Sequence, residues 1–350
     1  MRKTLSRNFG RFAALLTLVV SFVSVGPSPA QAVVAPADGY GFANGASWVT
    51  NSPEDSNREL EAVAKTGASW IRLPIDWSAV EKSKGQYDWG YVDNLVNTAS
   101  SHGLRILGWI GYTPFWYRPE GAQLLLPTSP PRDLDAWGRF VTAAAQRYSG
   151  RINNWEIWNE PNLPLFMGFI QNRPQHYVDI LKTAYPAIKA VSPGATVVAA
   201  GLSPADGSDA PPAFLQQLYD AGAGGFFDAA AAHPYVFPGG LAADSQHGWS
   251  DVGRMHDVMA AHGDGGKKIW LTEMGAATSV GDGQGVSPQE QAKEIVDVLG
   301  AAAATPYVGP AFIFSVRDTN SANIHDRESC FGALLTSDWQ PKYTASVLAR

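Results

Sequence analysis

Two glutamates in this chain each close an apolar run: Glu160 in Trp155-Glu156-Ile157-Trp158-Asn159-Glu160-Pro161-Asn162, and Glu273 in Ile269-Trp270-Leu271-Thr272-Glu273-Met274-Gly275. One carboxylate at a strand end says little, because exposed glutamates are common. A facing pair says more. One group donates a proton to a departing oxygen while the other attacks an anomeric carbon or activates water, which is the requirement for cleaving a glycosidic bond. The two positions are far apart in sequence, so only a closed fold brings them together.

The elements that must position them follow a regular rhythm. Strand-like runs at 39–43, 69–74, 104–111, 152–158, 196–201, 226–233, 268–273 and 310–315 alternate with amphipathic, helix-like segments. The helical segments begin near the capping run Asn51-Ser52-Pro53-Glu54 and continue at 91–101, 133–148, 174–191, 212–221, 249–262, 288–303 and 342–348. Eight β–α pairs with no linker between halves predict an α/β fold, a single-domain (β/α)8 or TIM barrel over 33–350. The rival is an open doubly wound sheet, but Gly41-Phe42-Ala43-Asn44-Gly45 after the first strand does not fit its glycine-rich nucleotide turn. The glycines at 262–267 precede a strand, whereas a phosphate loop follows one, and those at 281–285 read as a plain βα loop. In a barrel the reactive side chains belong at the C-terminal strand ends, where both glutamates fall.

The two glutamate motifs resemble those of clan A glycoside hydrolases, the (β/α)8 group that includes cellulases, β-xylosidases and β-mannanases. The likeness runs over the whole segment after residue 32. It implies that Glu160 is the acid/base and Glu273 the nucleophile of a retaining mechanism, with carboxyl groups about 5–5.5 Å apart. It further implies that Asn159 bonds the sugar 2-hydroxyl and that Arg72, in Trp70-Ile71-Arg72-Leu73-Pro74, supports the nucleophile. In His233-Pro234-Tyr235 it gives Tyr235 the task of orienting Glu273, and His233 that of positioning the site. The stretches 77–87 and Thr113-Pro114-Phe115-Trp116 share the likeness, which makes Trp77 and Trp116 candidates for sugar stacking. Many clan members close strand eight with a tryptophan. Here the strand reads Phe312-Ile313-Phe314-Ser315-Val316-Arg317-Asp318, so Phe314 is the expected platform and Arg317 an expected substrate contact.

Several residues carry a plainer reading as well. Strand alternation puts Glu156 on the face of Glu160, deeper in the barrel and held by a polar partner such as Arg72. Arg72 is then open to two roles, support of Glu273 or counter-ion of Glu156. Trp77, Trp109, Trp116 and Trp158 are as well suited to filling a core as to meeting a sugar. His247, His256 and His262 lack metal-ligand spacing and read as solvated helix positions.

Composition narrows the partners. The 350 residues are 45% hydrophobic and carry a net charge of −6, with no basic run past the N-terminus, which argues against nucleic acid and against an anionic membrane surface. Arg2, Lys3, Arg7 and Arg11 precede an apolar run at 12–25 and the small-residue site Ala30-Gln31-Ala32, the layout of a secretory signal peptide over 1–32. An uncleaved anchor is the alternative, and no later run is long enough to span a bilayer. The single cysteine, Cys330, leaves stability to the core and has no nucleophile motif around it. The expectation is a secreted, monomeric glycosidase acting on an oligo- or polysaccharide, with no metal or organic cofactor. A barrel that binds glycan without cleaving it, and a transglycosylase, are the alternatives. Long loops at 114–131, 162–173 and 234–250 would wall the cleft, and loops of this kind set which sugar enters.

Overall fold

The computed structural model describes residues 33–44, 47–121, 126–281 and 283–349. The signal-peptide expectation for 1–32 falls outside the described residues. Eight strands, β1 (Tyr40–Ala43), β2 (Trp70–Asp76), β3 (Arg105–Gly111), β4 (Asn154–Ile157), β5 (Thr196–Leu202), β6 (Ala229–Ala232), β7 (Ile269–Met274) and β8 (Val308–Phe314), form a closed barrel in sequence order. Every neighbouring pair is parallel, and β1 pairs with β8 to complete the ring. The (β/α)8 expectation is met.

Eight principal helices return the chain between strands: α1 (Pro53–Ala64), α2 (Gly90–Ser101), α3 (Leu134–Arg147), α4 (Arg173–Val191), α5 (Pro211–Asp220), α6 (Ser250–Ala261), α7 (Pro288–Ala303) and α8 (Tyr343–Leu348). Their starts are written in side chains that satisfy free backbone N–H groups. Ser52 accepts from Asp55 N ahead of Pro53, Asp133 from Ala136 N, and Ser287 from Glu290 N ahead of Pro288. Among the described residues no helix is long and apolar enough to cross a membrane.

Two cores follow from strand alternation. Outward residues such as Ile71, Leu271 and Ile313 pack with the helices in one large apolar layer. Inward residues one position earlier, Trp70, Trp270 and Phe312, meet edge-on or stacked at 5.4–6.5 Å and form a floor inside the barrel with Leu107, Val198, Ala229 and Ala231. One step above that floor come Arg72, Thr272 and Phe314. The apolar base thus supports a polar layer.

Strand ends differ from expectation where the backbone leaves regular geometry. β4 stops at Ile157 because Trp158 turns left-handed, with φ 74°. β2 runs on to Asp76, which caps a one-turn helix at Trp77–Val80. β6 is only four alanines.

Candidate active site

Arg72 stands at the centre of the polar layer. It is 1% exposed, and each guanidinium nitrogen has its own partner. Nε donates to Glu156 Oε2 at 2.5 Å, Nη1 to Glu273 Oε1 at 2.6 Å and Nη2 to Asn159 Oδ1 at 2.8 Å. Both roles left open by the sequence are therefore filled at once. Burial works against the charge on Arg72, but Glu156 and Glu273 outweigh it and raise its pKa.

Glu156 is fully buried and accepts two further hydrogen bonds, from Thr272 Oγ1 at 2.8 Å and from Gly201 N at 3.0 Å. Thr272 has one proton, and it goes to Glu156. Its oxygen at 3.1 Å must then accept from Nε2 of His233. The other imidazole nitrogen, Nδ1, lies 2.7 Å from Glu160 Oε1, so a single proton is shared between His233 and Glu160. This chain of contacts, from Glu156 through Thr272 and His233 to Glu160, fixes the ring and aims the carboxyl.

Glu273 is gripped on both oxygens: Arg72 holds Oε1, and the Tyr235 hydroxyl donates to Oε2 at 2.7 Å. Burial pushes its pKa up, but the charges of His233 and Arg72 and the Tyr235 bond prevail and lower it. The same field acts in reverse on its neighbours. His233 is raised, with Glu273 and Glu160 overcoming burial, and the Tyr235 phenol is raised by burial first and Glu273 second. One oxygen each of Glu160 and Glu273 and His233 Nδ1 all lie within 4.8 Å of one another. Those three atoms have the spacing of metal ligands, but Arg72 already supplies a positive charge 2.6 Å from Glu273.

Regular strand geometry would not aim both glutamates inward. Thr272 and Glu273 are adjacent and both enter the site, because the β7–β8 register shifts between Leu271 and Met274. Such irregularities re-aim side chains near functional sites. On β4 the left-handed Trp158, and Glu160 itself at φ 45°, let adjacent Asn159 and Glu160 both reach inward. The simple alternation argument linking Glu156 to Glu160 therefore fails, although both do face the barrel interior. A non-glycine residue held at such a φ costs on the order of 1–3 kcal/mol, so this turn is maintained by its surroundings.

The close fit has a consequence at Gly201. A Cβ there would stand 2.1 Å from His233 Nε2 and 2.5 Å from Thr272 Oγ1. Gly201→Ala must push the imidazole off Glu160. A displacement of about 1 Å in a catalytic group costs on the order of 100-fold in rate, with about 1–3 kcal/mol of overpacking. Steady-state kinetics and thermal unfolding on the same preparation check both.

Four expected contacts need separate accounts. Trp77 is fully buried and does not face the site: it opens the one-turn helix after β2 and stacks on Tyr117 at 5.2 Å and Phe140 at 5.5 Å. Its displacement follows from β2 running on to Asp76, which turns Trp77 out among α3 residues. Arg317 is also not at the glutamates. Its Nε pairs with Glu59 on α1 at 2.7 Å, and its guanidinium covers the Trp339 ring at 4.3 Å. Trp116 is half-buried and donates to Glu81 Oε1 at 3.3 Å, beside the loop after β3. Phe314 ends β8 above Phe312, half-buried and edge-on to Phe331 at 5.4 Å, so it remains able to floor a sugar. Of the histidines read as solvated, His247 and His262 are exposed, with His262 also stacked on Tyr219 at 4.2 Å, while His256 is half-buried against Tyr307 at 4.0 Å. Thr272 was the missed member of the site, although it immediately precedes Glu273.

Known proteins resemble parts of this chain. Residues 71–164 match the model of glycosyl hydrolase family 10. Endo-1,4-beta-xylanase 3 of Hypocrea jecorina is 29% identical over 86 residues, which is 25% of this chain and 24% of that protein. Endo-1,4-beta-xylanase 1 of Gibberella zeae is 23% identical over 116 residues, 32% of this chain and 31% of its own length. The matches thus span about a quarter to a third of these curated relatives. Whole-barrel likeness is found with a family 39 glycoside hydrolase from Bacteroides cellulosilyticus WH2, at TM-score 0.65 and 22% identity, covering 90% of this chain and 64% of that one. A monomeric beta-xylosidase from Caulobacter crescentus CB15 aligns at TM-score 0.64 and 18% identity, over 91% and 69%. The matched segment carries Arg72, Glu156, Asn159 and Glu160, and together with the shared barrel it makes this chain similar to the clan A (β/α)8 glycoside hydrolases.

Proposed function

We propose that the chain is a retaining glycosidase that cleaves β-glycosidic bonds in an oligo- or polysaccharide, with Glu273 as nucleophile and Glu160 as acid/base. The observation that carries this reading is the close approach of the two carboxylates, within 4.8 Å oxygen to oxygen, with Glu273 held ionised by Arg72 and Tyr235. That spacing suits direct attack. An inverting pair stands about 6.5–9.5 Å apart to admit a water.

In the first step Glu273 attacks the anomeric carbon while the bond to the leaving oxygen breaks and Glu160 gives that oxygen a proton. A glycosyl ester on Glu273 results. In the second step Glu160 takes a proton from water, which attacks the same carbon and releases Glu273. Asn159, fixed by Arg72, is placed to bond the sugar 2-hydroxyl, and Phe314 to lie under the ring. The xylanase and beta-xylosidase relatives favour a β-linked xylose polymer as the source of substrate. The basic and apolar N-terminal segment supports export and action outside the cell, and the monomeric beta-xylosidase neighbour favours action as a monomer.

The test is a panel of 4-nitrophenyl β-glycosides and intact plant and microbial polysaccharides, with proton NMR of the first product formed. The expected result is release of the β-anomer ahead of mutarotation. First appearance of the α-anomer would sink the retaining assignment, and no release from any substrate would sink the activity.

A further inference from the structure

One wall of the cleft is not used by the chemistry above. Tyr112 follows β3 directly, and β3 lies across the eight-stranded ring from β7, which carries Glu273. The Tyr112 ring is clamped edge-on by Trp109 at 5.2 Å and by Trp158 at 5.4 Å. Its backbone N–H is held by the Asp76 carboxylate, which also caps the one-turn helix after β2. The phenol is thus fixed in place at a half-buried position on the rim.

Other tyrosines of this fold hydrogen-bond within the protein. Tyr148 bonds Asp93, Tyr177 the carbonyl of Ile157, Tyr185 Asp228, Tyr219 Asp264 and Tyr235 Glu273. Among the described residues the Tyr112 hydroxyl has no such partner, yet it is near enough to the catalytic pair to feel both charges. After burial, the charges of Glu160, Asp76 and Glu273 raise its pKa and keep it protonated, and Arg72 opposes them. Beside it Trp109 is 5% exposed, lies with its ring 5.6 Å from the Arg72 guanidinium carbon, and keeps an indole Nε1 with no protein partner. The Trp109 Nε1 is itself buried, so the half-buried Tyr112 supplies the hydroxyl that a ligand in the cleft can meet.

We infer that the Tyr112 hydroxyl reads a ring hydroxyl of the sugar that becomes attached to Glu273. This rests on the glycosidase reading and deepens it. The substrate class is a sugar that carries hydroxyls on the side facing β3. A ring lacking the hydroxyl opposite Tyr112 is discriminated against, because the phenol is then left unpaired.

The experiment uses the full chain and the 4-nitrophenyl β-glycoside of xylose, glucose or mannose that it hydrolyses best, with the 2-, 3- and 4-deoxy analogues of that sugar. Tyr112→Phe deletes one oxygen and keeps the aromatic clamp. The expected loss in kcat/KM on the parent glycoside is about tenfold, the scale of one hydrogen bond. Wild type should lose a similar factor on one deoxy analogue, and Tyr112→Phe should lose nothing further on that analogue. A uniform loss across parent and all three analogues would mean a packing role and overturn the inference, as would no loss at all. If wild type hydrolyses no glycoside in the panel, the glycosidase reading fails and takes this inference with it. An active wild type with an indifferent Tyr112→Phe overturns this inference alone.

Discussion

Glu273→Ala is expected to lower kcat for every glycoside by roughly four to six orders of magnitude, the scale on which enzymes lose a nucleophile. The same variant should unfold close to the wild-type temperature. Arg72 keeps Glu156 and Asn159 as partners, so no buried charge is left alone when Glu273 is removed. Loss of rate without loss of fold separates a chemical role from a structural one. Glu160→Ala should behave differently. Protonation of the leaving oxygen matters most when that oxygen is basic, so the deficit should be large for alkyl glycosides and polysaccharides. It should shrink for 2,4-dinitrophenyl glycosides, whose leaving group needs no proton. With those substrates the glycosyl ester forms quickly and then waits for water that lacks a base. A pre-steady-state burst of dinitrophenol is the expected readout, and added azide, which attacks without a base, should speed turnover and yield a β-glycosyl azide. Equal losses across all leaving groups would remove Glu160 from the acid/base role. Unchanged turnover in Glu273→Ala would remove Glu273 from the nucleophile role.

The barrel was legible in the chain because its strands are buried on both faces and read as short apolar runs, such as Ile106 to Ile110, separated by well-capped helices. Arg72, Asn159, His233, Tyr235 and the two glutamates were legible because each lies in a short motif at or near a strand end, and position along a strand largely decides position in a barrel. Trp77 was not. Whether a tryptophan beyond a strand faces the cleft or the helix layer depends on where the strand stops, and β2 stops at Asp76, two residues later than its pattern suggests. Arg317 failed for a related reason. Its partners, Glu59 on α1 and Trp339 before α8, are brought together only by closure of the ring. The aim of the glutamates was hidden too. It depends on a register shift on β7 and a left-handed turn after β4, and neither leaves a mark such as glycine at Trp158 or Glu160.

Arg72→Met carries the second large effect, because Arg72 acts on stability and on catalysis through different partners. Removing it leaves Glu156 and Glu273 buried beside each other's field without their counter-ion. Breaking a buried pair in this way costs about 3–5 kcal/mol, which for a domain of this size lowers the unfolding midpoint by roughly 10 °C. The catalytic effect runs through Glu273. In the native site its pKa is lowered, so its contribution to stability is present above the ordinary carboxylate range and is lost as pH falls through the depressed folded value. Without Arg72 one of the charges that depresses it is gone. The acid limb of kcat/KM should then move to higher pH, and activity near pH 5 should fall more than activity near pH 7. The double variant Arg72→Met/Glu156→Gln separates the two effects. A neutral glutamine keeps the hydrogen bonds to Thr272 and Gly201 but carries no charge, so most of the lost unfolding temperature should return. The shifted acid limb should stay, since Glu273 still lacks Arg72. If the double variant recovered the pH profile along with the stability, Arg72 would be acting on Glu273 through Glu156 and not through its own 2.6 Å contact.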